Sequence, residues 1–364
     1  MAAPTLVIFL GGFGTSEAER FVDQARLTAT MHSLTAWRGL PGEPPAVLVT
    51  DQNVLTDAVT VDRDEGPFHF GERLAGVLQK HHIESAVYMG GGSLPLFATG
   101  DFAGVLQSTQ DASVVTNNNF SSDLVAFRVN SIALAAIKQV LRDNSLARAL
   151  LDAGMPVQTL PRTVATQFDI DTPADVAILT LIDPRWSSAI EMDKSPAELT
   201  ARYYAVLPLF LDQTKQIVVA GRVGSHAWGY LERETACRVR LFAEERGMEA
   251  DNRAEKGEAR SLLAYYHDEV GPKRFFETLA ELGDAAFIDT RVLLAHKRID
   301  ATRKDRFLSD LGRWQEITDP FLREFTHAAM EAPLPVLLGG HSLMSGGLMA
   351  LNEHAWSLRD KGQL

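Results

Sequence analysis

The chain has 364 residues, 46% of them hydrophobic and 23% charged, which suits a globular protein of about two domains. Its net charge of −12 argues against a general nucleic-acid binder, and its single cysteine, Cys237, excludes an internal disulfide framework and agrees with a reducing cytoplasm. No apolar run reaches the roughly 20 residues of a membrane span, and residues 1–10 lack the basic start of a signal peptide, so a cytoplasmic protein with no membrane partner is expected.

The chain opens on TLVIFLGGFGT, residues 5–15. Its apolar run, with β-branched Val7 and Ile8, predicts a buried central strand. Gly11, Gly12 and Gly14 let the backbone turn sharply and approach a ligand with no Cβ in the way. Thr15 and Ser16 are good N-caps for a helix over 17–34, whose N–H groups would face an anion. Leu10 to Ser16, Phe13 included, therefore read as a nucleotide-phosphate cradle, with a glycine turn made only for tight packing as the plain alternative.

Residues 46–50 (AVLVT) predict a second strand after the connecting loop PGEPP, and 51–67 read as irregular. A helix over 71–81 begins with Gly71 and Arg73 and carries Leu74, Val77 and Leu78 on one face. SAVYM at 85–89 predicts a third strand running into Gly90, Gly91, Gly92 and Ser93. A short helix near 100–107 precedes a fourth strand at 112–116, which breaks into the polar turn NNNFSSD at 117–123. Asn117, Asn118 and Asn119 either read a base or ribose edge through their amides or simply build the turn. Helices are expected at 131–142 and 145–151, a short strand at 157–160, and a last helix started by Pro173 at N1. Strands alternating with helices predict an α/β fold, a mainly parallel sheet with helices on both faces, in which ligands gather beyond the carboxyl ends of the strands.

The dinucleotide fingerprint G-x-G-x-x-G is only partly met, because Glu17 stands where the third glycine belongs, and the phosphate loop GxxxxGK[ST] is absent. Residues 5–182 resemble the MobA-like NTP-transferase (nucleotidyltransferase) superfamily, whose relatives include the phospholactate guanylyltransferases. The carriers are LGGFGT (family pattern roughly LAGGxGTR), the strand running into GGGSLPLF (family pattern G-x-D-x-P-x-L), and FDIDTPADVAIL at 168–179, the most specific of the three. The resemblance implies a Rossmann-related fold whose glycine loop holds the NTP phosphates. It also implies a basic residue beyond that loop, and Mg²⁺ (or Mn²⁺) held by an Asp ahead of the Pro and a second group late in the domain. The implied reaction is attack of an acceptor phosphate or hydroxyl on the α-phosphate with loss of pyrophosphate, chemistry of positioning and charge neutralisation.

Carried onto this chain, the resemblance implies Asp169 as a catalytic metal ligand, with Asp171 as a second ligand or a helix cap. Ser16 and Glu17 replace the arginine expected after GxGT, so Arg20 or Arg26 would have to supply its charge. Ser93 stands where the family places a metal-binding Asp, and a neutral hydroxyl is a poor Mg²⁺ anchor. Asp101 and Asp123 are candidate replacements. Gly71 and Arg73 fall where relatives contact the nucleotide, and so do Gly91 and Gly92.

Beside IDPRW (182–186) a sparsely charged stretch gives way to a densely charged one, which divides the chain into an NTP-transferase-like domain at 1–184 and a mostly α-helical domain at 185–364. Helical periods appear at 197–211, 226–246, 257–270, 273–282, 303–312, 320–330 and 341–358. VVAGRVGS (218–225) and VLLGGHS (336–342) are apolar runs passing through glycines to capped helices. They read either as anion loops aided by Arg222 and His341 or as close packing. Arg233, Arg238 and Arg240 beside several glutamates suggest a salt-bridged helix face. His267, His296, His327 and His354 have no zinc-motif spacing, and no G-x-S-x-G is present. The expectation is a Mg²⁺-dependent nucleotidyltransferase moving an NMP from an NTP to a small phosphorylated or hydroxyl acceptor. An inactive nucleotide-binding regulator on the same fold and a nucleotide-sugar glycosyltransferase are the alternatives. The last would need Asp-x-Asp after a central strand, and Asp169-Ile170-Asp171 comes late. A homo-oligomer is compatible with the sequence.

Overall fold

The computed structural model describes residues 4–12, 14–52, 59–63, 68–111, 114–189, 194–248 and 252–364. The chain forms two compact units, Met1–Phe13 with Ala25–Asp169, and Gly14–Gln24 with Ile170–Leu364. The first is built on seven strands: β1 (Thr5–Leu10), β2 (Ala46–Thr50), β3 (Thr60–Arg63), β4 (Ser85–Gly90), β5 (Val114–Thr116), β6 (Leu124–Arg128) and β7 (Val157–Thr159). Their order is β3-β2-β1-β4-β6-β5-β7, parallel throughout except that β6 runs against both neighbours.

Every residue of β1 is buried, which explains its unbroken apolar run. Alternate side chains enter two cores. Val7 and Phe9 pack with Leu74, Val77 and Leu78 of the helix Phe70–Lys80, whereas Leu6, Ile8 and Leu10 pack with Leu34 and Trp37 of the opening helix and with Phe102. Helices therefore cover both faces of a mainly parallel sheet, as expected. Two strands were not anticipated. β3 is a short edge strand in a stretch that reads as irregular, and β6 pairs back on β5 across the turn 117–123. The polar turn is thus the tip of an antiparallel hairpin rather than a crossover.

The second unit is rich in helices, as expected, but they wrap a four-stranded, wholly parallel sheet. Its strands are β8 (Gln216–Gly221), β9 (Arg238–Ala243), β10 (Ala285–Asp289) and β11 (Val336–Gly339), in the order β11-β10-β8-β9. Both apolar-to-glycine runs turn out to be strands, and so does AAFID ahead of Thr290 and Arg291. The stretch 226–246 is corrected: the helix Ser225–Glu234 ends and RVRLFA continues as edge strand β9. Its charged and apolar residues alternate with period two, so Arg238 and Arg240 do not lie on a helix face. The two helices expected at 257–270 and 273–282 are both present within Leu262–Leu282, separated at non-helical Gly271 (φ 76°) ahead of Pro272, with the first starting at Leu262 rather than Gly257. Among the described residues no helix is long and apolar enough to cross a membrane.

The helix Pro173–Ile182 lies in the second unit, so the compositional boundary at 184/185 falls after the one drawn by packing. Thr172 and Asp175 form its capping box, with Asp175 Oδ2 accepting from the Thr172 backbone at 2.8 Å and the Thr172 hydroxyl at 2.9 Å. Asp175 is fully buried, and burial together with nearby Asp171 pushes its carboxyl up to about 8. The folded chain thus holds this proton more tightly than the unfolded chain does. Stability from this group is complete below pH ~4 and is lost progressively as pH rises toward ~8. Denaturant titrations at pH 5 and pH 8 should show Asp175→Asn flattening this decline. An unchanged pH dependence in the variant would remove Asp175 as its source.

Candidate functional site

Strand order locates the first unit's ligand edge. From β1 the chain proceeds to β2 and β3 on one side, while β4 pairs on the other, so the order reverses between β1 and β4. Open α/β sheets bind ligands beyond the carboxyl ends of the strands at such a reversal. Here those ends are Leu10-Gly11-Gly12 and Gly90-Gly91-Gly92, and the Gly91 N–H donates to the Phe9 carbonyl at 2.6 Å. Two glycine turns from distant parts of the sequence meet at one sheet edge.

The glycines are needed for different reasons. A Cβ on Gly91 would stand 2.5 Å from Leu10, so that position serves close packing of the two turns. Gly92 has φ 97° and lies against the Arg26 side chain. Gly12 has φ 79°, and a Cβ there would meet nothing within 4 Å. It faces open space, as the floor of a ligand cradle must. Gly11 lies beside Asp51, the residue after β2, and a Cβ on Gly11 would stand 3.7 Å from Asp51 Oδ1. Phe13 lies outside the described residues.

Several sequence candidates gather at the end of β4. Arg26 Nε donates to the Gly91 carbonyl at 2.9 Å. Ser93 is buried and forms an isolated antiparallel bridge with Asp169, so the late acidic motif is brought beside the turn that follows β4. Gly90 donates to the Asp123 carbonyl at 3.3 Å, which sets Asp123 beside the same turn. Asn117 builds that turn: its amide donates to Asp123 Oδ2 at 2.7 Å and its oxygen accepts from the Asp123 and Leu124 backbone. Asn118 accepts from the Phe120 N–H in a local Asx turn. Asn119 differs, because its Oδ1 is buried with no hydrogen-bond partner. Gln52 Nε2, after β2, is likewise buried and unpartnered.

Sequence reasoning passed over Asp51, Gln52, Tyr88 and Asp143. Tyr88 is buried in β4 and donates to Asp143 Oδ2 at 3.1 Å, and burial with the Asp143 charge drives its hydroxyl pKa well up. Asp51 and Gln52 could have been found from their place directly after a buried strand. Asp143 carries no signal, since it reaches β4 only through the fold.

Gly71 and Arg73 lie elsewhere in this unit. The Gly71 N–H donates to the Val140 carbonyl at 3.0 Å, and a Cβ would come within 2.0 Å of the Ile137 carbonyl oxygen. Arg73 binds Asp62 Oδ1 at 2.8 Å, and Lys80 and His81 share the other oxygen. Burial opposes ionisation of Asp62, but the bonds from Arg73, Lys80 and His81 outweigh it and hold the carboxyl well below its usual range.

Gly14, Thr15, Ser16, Arg20 and Asp171 belong to the second unit. Gly14 N–H donates to Asp23 Oδ2 at 2.9 Å, and Ser16 N–H to Glu19 Oε2 at 3.0 Å. Ser16 and Glu19 also form a reciprocal cap at the start of the helix. Two N–H groups read as phosphate donors are thus satisfied by the helix's own carboxylates. Thr15, Arg20 and Asp171 are solvent-exposed, and the Asp171 N–H donates to Asp175.

The second sheet has a reversal of its own, between β8 and β10. Arg222, just past β8, pairs with buried Asp289 at the end of β10 at 2.5 Å. Burial raises the Asp289 pKa, yet Arg222 outweighs it and keeps the group ionised. His341, past β11, opens to solvent, but the protein around it and then the Arg222 charge press its pKa down.

No protein-family model matches the chain, and no curated protein matches its sequence. Among solved structures, a Desulfovibrio desulfuricans protein described as a nucleotide-diphospho-sugar transferase is 15% identical at a TM-score of 0.40, covering 57% of this chain and 97% of its own. A Leptospira borgpetersenii cytidylyltransferase is 13% identical at a TM-score of 0.37, with the same coverages of 57% and 97%. The 2-C-methyl-D-erythritol 4-phosphate cytidylyltransferase of Thermus thermophilus is 15% identical at 0.35, covering 46% of this chain and 93% of its own. Likenesses this distant assign the chain to no family.

Proposed function

We propose that the first unit binds a nucleoside triphosphate at the β1/β4 edge and transfers its nucleotidyl group to a small phosphorylated or hydroxyl acceptor. The supporting observation is the meeting of two glycine turns, Gly11-Gly12 and Gly90-Gly92, at the reversal of strand order, with Arg26, Asp123 and Asp169 gathered there. Gly12 opens onto the space a phosphate would fill. Arg26, fixed through Nε, supplies positive charge beside it. The orphaned amide atoms of Asn119 and Gln52 are suited to a polar ligand group.

In this reading an acceptor oxygen forms a bond to the α-phosphorus while the bond to pyrophosphate breaks, pyrophosphate leaves with the electron pair, and a hydroxyl acceptor gives up its proton to solvent. The chain's part is to hold the phosphates in line and offset their charge. Mg²⁺ needs only one or two protein carboxylates, completed by phosphate oxygens and water. Asp123 and Asp169 supply that number, and among the described residues no larger cluster of metal-binding side chains occurs. An ion held by these two carboxylates together with the nucleotide would draw charge from the phosphates when bound.

Calorimetry with each NTP, with and without Mg²⁺, tests this. Metal-dependent binding of one NTP supports transfer chemistry. Metal-independent binding would mark a regulator that keeps only the nucleotide fold, and no binding of any NTP would discard the site. Gly12→Ala sharpens the test against Gly42→Ala, since both glycines have positive φ (79° and 83°) and both would place a Cβ in open space. Each should lose about 1 kcal/mol of stability from backbone strain, while only Gly12→Ala should weaken NTP binding, by roughly tenfold or more. Equal NTP affinity in the two variants would show that Gly12 faces no ligand.

A further inference from the structure

The second unit contains an open cavity of about 620 Å³ with an unusual lining. Arg291, Arg298 and Arg306 converge on it, and Leu294, Ala295 and Ile299 give it an apolar wall. A volume of this order suits a small organic ligand rather than a bare ion. The three arginines differ in how they are occupied. Arg291 is neutralised, binding both oxygens of Asp310 at 2.5 and 2.6 Å. Arg298 donates to the Gly257 carbonyl at 3.2 Å and Arg306 to the Ala301 carbonyl at 2.9 Å. Among the described residues neither Arg298 nor Arg306 forms an ion pair.

Arg306 is half-buried, and a half-buried guanidinium with no carboxylate partner is unfavourable unless something else supplies negative charge. Burial, then the Arg291 and Arg303 charges, push its pKa down, and the charges of Asp310 and Asp300 oppose this only in part. Arg298 is held with φ 56° at the end of the helix Thr290–Lys297, an arrangement that costs about 1–2 kcal/mol in a non-glycine residue. Gly257, φ 65°, makes room for it: a Cβ there would stand 2.7 Å from Arg298 Nε. Half-buried Arg306 and solvent-exposed Arg298, neither in an ion pair among the described residues, thus meet at one cavity. Glu255, Lys256 and Asp300 also line the cavity, and the two carboxylates favour a ligand that engages the forks directly over a diffuse anion.

We propose that this cavity binds a phosphomonoester of a small organic molecule, its phosphate held by Arg298 and Arg306 and its carbon body against Leu294, Ala295 and Ile299. Planar guanidinium forks match phosphate oxygens two at a time, and the apolar wall has no use for inorganic phosphate. This site is independent of the nucleotide reading, because all its residues belong to the second unit.

The test is calorimetry on the full chain with glycerol 3-phosphate, inorganic phosphate, glycerol and succinate as probes. Glycerol 3-phosphate should bind more tightly than inorganic phosphate, with glycerol silent and affinity falling as salt rises. Arg306→Gln and Arg298→Gln should each weaken binding by roughly tenfold or more, while Arg274→Gln, an exposed arginine paired with Glu277 and Glu281, should not. Without ligand, Arg306→Gln should melt no lower than the parent protein, since it removes an unneutralised charge. A lower Tm with unchanged binding would mean that Arg306 is structural and would overturn the proposal. So would tighter binding of succinate than of glycerol 3-phosphate, or no binding of any probe.

Discussion

Replacing Asp310 by Ala should be among the most destabilising single changes in the chain, at about 3–5 kcal/mol. Asp310 is buried and accepts from Arg291 Nη1 at 2.5 Å and Nη2 at 2.6 Å, a bidentate pair in the core of the second unit. Arg291 also donates to the Thr290 hydroxyl and the Gly339 carbonyl, so its guanidinium ties the helix after β10 to the end of β11. Burial pulls its pKa down, but Asp310 dominates and raises it, so the guanidinium stays fully charged. Removing Asp310 would leave that charge buried beside Asp289, which already serves Arg222. The cost arises from stranding one ion, so removing both charges should be milder. Arg291→Met with Asp310→Leu should recover most of the lost stability, because well-packed apolar residues often replace a buried pair without loss. Denaturant midpoints of the two singles and the double form the required cycle. A loss below about 1 kcal/mol in Asp310→Ala would show that solvent reaches the pair.

Gly71→Ala should destabilise the first unit by about 3 kcal/mol or more, although it adds only a methyl group. The added Cβ would lie 2.0 Å from the Ile137 carbonyl oxygen and 2.8 Å from that of Val140. Both atoms are backbone, so no rotamer change can relieve the clash, and the helix Phe70–Lys80 would have to withdraw from Ser131–Lys138. That withdrawal would also break the 3.0 Å bond from the Gly71 N–H to Val140 and loosen Phe70, Leu74 and Ile137 in one core. This prediction separates two roles for one glycine. Loss of stability with nucleotide affinity intact in the surviving folded fraction fits packing. Loss of affinity with the melting curve unchanged would restore Gly71 to the binding site.

The first unit was largely legible because its information is local. A short apolar run such as TLVIF, with its β-branched residues and the glycines directly after it, reads as a buried strand whose end is the edge where the backbone turns. The FDIDTPADVAIL motif pointed to Asp169, and the bridge to Ser93 joins two stretches that are far apart in sequence. The second sheet was much less legible. Its strands β8, β9, β10 and β11 are short and separated by long helices, so helical periodicity dominates every window that contains them. In β9, arginines alternating with apolar residues suggested helical charge pairing when they were the exposed positions of an edge strand.

The sequence by itself determined the alternation of strands and helices, the glycine turns at strand ends and the residue types available for charge. Those follow from backbone preferences and periodicity, which act over a few residues. Tertiary structure alone decided which of those groups remain available to a ligand. The N–H groups of Gly14 and Ser16 look identical in sequence to other donors of a glycine loop, yet Asp23 and Glu19 satisfy them. Arg291 and Arg306 are equally basic in sequence, yet among the described residues Arg291 forms an ion pair with a carboxylate and Arg306 does not. Pairing depends on distances between side chains from remote segments, and burial decides how much each pairing is worth.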